Sequence, residues 1–80
     1  MNESTTRVRE IVATILAVPV EEITDEASTR TVEAWTSLRH LVLALELEQE
    51  FGIEVGPDDM ERVGSVAGIV ELLSERGAAV

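Results

Sequence analysis

Few side chains in this sequence could carry covalent chemistry. There is no cysteine, so the chain itself offers no thiol nucleophile, no thiolate metal site and no disulfide, and any sulfur chemistry has to be imported. The lone His40 has no nucleophile and orienting acid at a recognisable spacing, which makes it a surface or core-edge residue rather than a catalytic base. Asp58, Asp59 and Glu61 crowd together, but they lack the alternating ligands and central glycine of a calcium-binding loop and predict no metal. No acid, base and nucleophile converge, so a self-contained enzyme has little support. What remains is Ser37, a hydroxyl at the head of a long apolar run, whose ordinary reading from helix-start statistics is an N-cap.

The elements that would position Ser37 are helical. Val8, Ile11, Val12, Ile15 and Leu16 share one stripe at helical spacing, which predicts a first helix from Ser4 to Ala17, ended near Pro19. Pro19 to Thr36 shows no sustained period and reads as a long loop pinned by Ile23 and Trp35, because loops of that length in compact domains are usually functional or held by their own side chains. Trp35 is read first as a core or loop anchor, given the area a tryptophan buries, and second as a shaper of the entry beside Ser37. Ser37 to Phe51 is the second helix, stopped by Gly52.

That second helix carries two apolar stripes on nearly opposite sides, Leu38, Leu41, Val42 and Leu45 on one and Leu43, Ala44, Leu47 and Phe51 on the other. Such a helix is either sandwiched between neighbours or keeps one stripe for a partner or ligand. Glu46 and Glu50 lie between the stripes on one flank and Glu48 on the other. Pro57 with Asp58 and Asp59 starts a short helix, Pro57 to Arg62. Ser65 caps a last helix that carries Val66, Ile69, Val70, Leu72 and Leu73 and ends before Gly77. The expected fold is therefore all-α, a bundle of three main helices and one short helix, with a long loop between the first two.

The 80 residues leave room for a single domain spanning 1–80, and a chain of this size buries only about 60–65 % of its unfolded surface, too little for a deep catalytic cavity. Six basic and sixteen acidic residues give a net charge of −10, which repels phosphate backbones and anionic lipid, and steers the protein towards basic patches on other proteins. Nucleic acid and membrane are excluded as partners. Met1 to Arg7 is polar, without an apolar signal core, and no run approaches the ~18 apolar residues of a membrane span. A cytoplasmic monomer is the expectation.

The segment from Glu33 to Ile53, EAWTSLRHLVLALELEQEFGI, resembles the heart of acyl carrier proteins, which carry a serine, usually within Asp-Ser-Leu, at the start of their second helix. Ser37, Leu38, Leu43, Leu47, Glu48, Glu50, Phe51, Gly52 and Ile53 follow that pattern in order, and the likeness extends through the first helix, the long loop, Pro57 and the Ser65-Val66 start of the last helix. The resemblance implies that a phosphopantetheinyl transferase attaches 4′-phosphopantetheine from coenzyme A to Ser37 Oγ, and that acyl groups ride on its thiol as thioesters. It implies a carrier without turnover of its own, serving fatty-acid-like or polyketide-like biosynthesis. Its partners would be acyltransferases, ketosynthases or ligase-type enzymes with basic docking patches. The unpaired N–H groups and positive dipole end of a helix start favour a phosphodiester at Ser37.

Residues expected to meet partners or cargo are Thr36, Leu38, Arg39, Leu41, Leu45, Glu46, Glu50 and Val63. A tethered acyl end could lie against Leu41, Leu45 and Val63, or swing away. Glu46, Glu48, Glu50 and Glu54 form either a docking strip or only a solvated face. Thr36 departs from the usual aspartate, which bears on how the transferase recognises the protein. Arg39 and His40 depart from the most acidic versions of this helix and set a positive and a titratable group near the arm. The competing reading is a helical protein–protein adaptor that uses the exposed apolar stripe and carries no prosthetic group.

Overall fold

The computed structural model describes residues 3–78. Met1 and Asn2, which open the polar N-terminal stretch, and the last two positions of the 1–80 span lie outside the described residues. Three α-helices, α1 (Glu3–Leu16), α2 (Ser37–Phe51) and α3 (Val66–Glu75), are joined by irregular chain containing 3₁₀ turns at Val20–Glu22, Pro57–Asp59 and Arg62–Gly64. The fold is the expected small all-helical bundle, with α2 over the predicted residues and α1 shifted by one residue towards the N-terminus.

Along α1, Val8, Val12 and Leu16 recur every fourth residue, face inwards and are buried, while Ile11 and Ile15 pack at the margin. The helix ends before Pro19 is reached. Ala17 turns left-handed with φ 59°, and the Ala17 N–H to Thr14 O bond (3.2 Å) and Val18 N–H to Ala13 O bond (3.1 Å) close a Schellman motif. Glycine fills this role at the ends of the other two helices, at Gly52 (φ 64°) and Gly77 (φ 67°). Alanine at the first helix end carries a Cβ strain of about 1–2 kcal/mol.

The loop between α1 and α2 is long and, apart from Val20–Glu22, without helix. Ile23 and Trp35 are buried as expected, and Ala27 joins them. Arg9 on α1 donates to the carbonyls of Ile23 and Val20. Further along, Thr29 N–H bonds to Gly64 O and Val66 N–H to Ala27 O, both at 3.0 Å, an antiparallel bridge between Ser28 and Ser65. The loop is thus bonded to the first helix and to the entrance of the last.

The short helix expected from Pro57 to Arg62 is instead two 3₁₀ turns, with Met60 and Glu61 keeping right-handed helical angles between them. A contact from α2 ties down its middle: His40 Nε2 donates to Met60 O at 2.8 Å, while Gly64 N–H bonds to Glu61 O at 3.1 Å and closes the second turn. Ser65 Oγ then caps α3, accepting from Gly68 N–H at 3.0 Å. A Cβ on Gly68 would fall 2.1 Å from Arg62 O, so glycine alone lets the preceding turn sit this close to α3. The core is built from Val8, Val12 and Leu16, Leu43 and Leu47, Val66, Ile69, Leu72 and Leu73, with Ile23, Trp35 and Val63 closing it.

Candidate functional site at the start of α2

The two stripes of α2 separate cleanly. Leu43, Ala44 and Leu47 are buried, whereas Leu38, Leu41, Val42 and Leu45 remain 71, 51, 43 and 54 % exposed. The helix is therefore not sandwiched. It keeps one apolar stripe in solvent, and that stripe begins next to Ser37.

Ser37 is the first residue of α2, exposed, but it is not the cap. Thr36 holds the extended N-cap conformation, and its Oγ1 accepts from Arg39 N–H at 3.3 Å. The Ser37 hydroxyl has no partner among the described residues. Because Thr36 already satisfies an orphan N–H, the ordinary explanation for a serine here falls away. Threonine also keeps the capping ability of the aspartate usual at this place, without its charge.

The surroundings fit a phosphodiester. No acidic residue stands in the first turn of α2, so the N–H groups and the positive dipole end of this 15-residue helix face an incoming anion without a competing carboxylate. The arm that the resemblance implies would bring the thiol this cysteine-free chain lacks.

Several expected partner residues have work inside the fold. Arg39 reaches across to α1, where Nη1 donates to Ile15 O at 2.9 Å and brings a positive charge to the negative end of that helix. Trp35 Nε1–H donates to His40 Nδ1 at 3.3 Å while His40 Nε2 meets Met60 O; since a carbonyl only accepts, the ring is the neutral Nε2–H tautomer. His40 thus sits at the core edge, as expected.

Val63 requires a correction. It is the middle residue of the turn Arg62–Gly64, fully buried, and offers no surface to a partner. Glu48 leaves the proposed acidic strip as well, its Oε2 accepting from Val55 N–H at 2.8 Å and fixing the chain after α2. Glu46 and Glu50 look onto an open groove of about 260 Å³ between α1 and α2, lined also by Arg7, Ile11 and Ile15, with Glu50 paired to Arg7. Asp59 accepts from Gly56 N–H and pairs with Arg76 at 2.7 Å; no metal-binding group of acidic or histidine side chains occurs among the described residues.

Beyond Ser37, the structure gives Thr36 the cap of α2 and leaves Val42 in the exposed stripe. The cap had a signal in the sequence, since a threonine stands directly before Ser37 and threonine is a good N-cap. No helix is long and apolar enough to cross a membrane among the described residues.

A family model described as a phosphopantetheine attachment site matches residues 6–73. The match runs from the first turns of α1 to the end of the α3 core and takes in the whole of α2 with its free hydroxyl. The chain belongs to the phosphopantetheine-attachment family and is a carrier domain for covalently bound 4′-phosphopantetheine.

Proposed function

We propose that Ser37 Oγ is the attachment point and that the protein shuttles acyl thioesters between enzymes without turnover of its own. The single observation behind this reading is the Ser37 hydroxyl, exposed and without a partner among the described residues, with the cap supplied by Thr36. A bond forms between Ser37 Oγ and the phosphorus next to the pantetheine of coenzyme A, the pyrophosphate linkage breaks, adenosine 3′,5′-diphosphate leaves, and the serine proton passes to a base of the transferase. Partner enzymes, such as acyltransferases, ketosynthases or ligases of fatty-acid-like or polyketide-like biosynthesis, would meet Thr36 and the stripe of Leu38, Leu41 and Leu45, with Glu46 and Glu50 on its flank.

Charge complementarity supports that choice of partner. The net charge of −10 favours a basic partner surface, and the exposed Leu38, Leu41 and Leu45 favour one with an apolar centre. Family membership favours a carrier over an adaptor without a prosthetic group. Incubation with coenzyme A and a broad-specificity phosphopantetheinyl transferase, followed by peptide mapping, tests the reading: the added mass is expected on Ser37, and its appearance on Thr36, Ser65 or Ser74 would refute the assignment.

A further inference from the structure

Arg39 and His40 are consecutive, follow Ser37 by two and three positions, and reach towards different neighbours of α2. Its principal neighbours are α1 and the turn Arg62–Gly64. Arg39 joins α2 to α1 through Ile15 O at 2.9 Å. His40 joins it to the other side through Met60 O at 2.8 Å, with Trp35 behind the ring at 3.3 Å. Gly64 completes that seam, since a Cβ there would stand 3.6 Å from His40 Cε1.

Behind both seams lie Leu43, Leu47 and Val63, all fully buried. For a chain tethered at Ser37, the direct way to them parts the first turns of α2 from one of these neighbours. On the Arg39 side this strips the Ile15 carbonyl of a charged donor. On the His40 side it strips the Met60 carbonyl and the indole N–H of Trp35, itself only 4 % exposed. An alkyl chain can replace none of these bonds, and unpaired polar groups are disfavoured in such surroundings.

We infer that Arg39 and His40 are a specificity-determining pair that keeps the acyl group on Ser37 outside the core. This rests on the Ser37 reading and narrows it: the cargo class suited to such a carrier is short or oxygen-bearing acyl groups, which lose least by staying in water, rather than long saturated chains.

The test uses the full chain loaded with an acetyl or an octanoyl thioester on its arm. Cleavage by hydroxylamine is followed against the same thioesters of free pantetheine, together with Trp35 emission. The wild type is expected to show the same octanoyl-to-acetyl rate ratio as free pantetheine and unchanged emission. The Arg39→Ala, His40→Ala double variant is expected to cleave octanoyl about tenfold more slowly, the factor produced by a chain enclosed about 90 % of the time.

Octanoyl protection in the wild type overturns the inference whether or not the double variant folds. A folded double variant that behaves as wild type overturns the role of the pair. An arm absent from Ser37 on peptide mapping is a different failure, because it removes the attachment reading itself.

Discussion

The two faces of α2 have nearly the same composition and opposite fates. Leu43 and Leu47 are sealed in the core, while Leu38, Leu41 and Leu45, on the same 15-residue helix, stand in water. Burying a leucine side chain is worth about 1.5–3 kcal/mol, so the outer stripe leaves available stabilisation unused. A small domain gains nothing in stability from that arrangement. The difference shows that the inner face specifies the fold, and leaves the outer face as the one that the proposed docking of partners would use.

The largest expected effect breaks that symmetry directly. Leu47→Ala should destabilise the domain by about 2–5 kcal/mol, a large share of what a chain of this size has. Leu45→Ala should stay within about 0.5 kcal/mol. Urea unfolding of both variants checks the contrast; equal losses would mean that the outer stripe also supports the fold.

The boundary between the faces supplies a second pair. Thr36→Ala removes the cap and should cost about 0.5–2 kcal/mol, whereas Ser37→Ala, which removes no bond, should leave stability within about 0.5 kcal/mol. Thermal melts that show the larger loss at Ser37 would return the cap to serine.

The flanks give a third. Glu48→Gln weakens a charge-assisted bond to Val55 N–H and should lower stability by about 1 kcal/mol. Glu46→Lys should leave the helical signal intact while slowing transfer from a partner enzyme, an effect that salt should diminish. Unchanged partner kinetics would remove Glu46 from the docking surface.

The smallest effect concerns the segment against which the inner face packs. Hydrogen bonds from Arg76 and Gly56 N–H hold the Asp59 carboxyl below the usual carboxylate range, and Arg62 does the same for Glu75. A lowered carboxyl stabilises the fold above its unfolded pKa, and the contribution disappears as pH falls through the folded value. The melting-temperature advantage of wild type over Asp59→Asn should therefore be constant at neutral pH and shrink below about pH 4, where carboxylates protonate. An advantage that grows on acidification would contradict this sign.

Much of this was legible in the sequence because it is local. The double stripe of α2, the stop at Gly52, the Ser65 cap and the pins Ile23 and Trp35 all follow from periodicity, glycine and proline chemistry, or sheer side-chain size. What escaped depends on contacts between distant segments. Val63 carries no mark that separates a buried valine from one beside a site. The bond that ties the Pro57 segment to α2 comes from His40, twenty residues earlier in the chain, at the Met60 carbonyl. Arg39 and His40 stood out by charge and type, but their reach to α1 and to Met60 could not be read from spacing. Helix-start statistics assign the ordinary cap role to Ser37, and the backbone geometry separates the two by moving it to Thr36.

That separation makes the central claim testable without a stability artefact. Wild type, Ser37→Ala and Ser37→Asp are each incubated with coenzyme A and an active phosphopantetheinyl transferase, and intact mass is measured beside a melting curve. Aspartate tolerates a helix start and favours the dipole, yet has no hydroxyl to accept the arm. The account predicts one added phosphopantetheine on wild type, mapped to Ser37, and two folded variants with no added mass. Modification of either variant, or a wild type left unmodified by several active transferases, would contradict it.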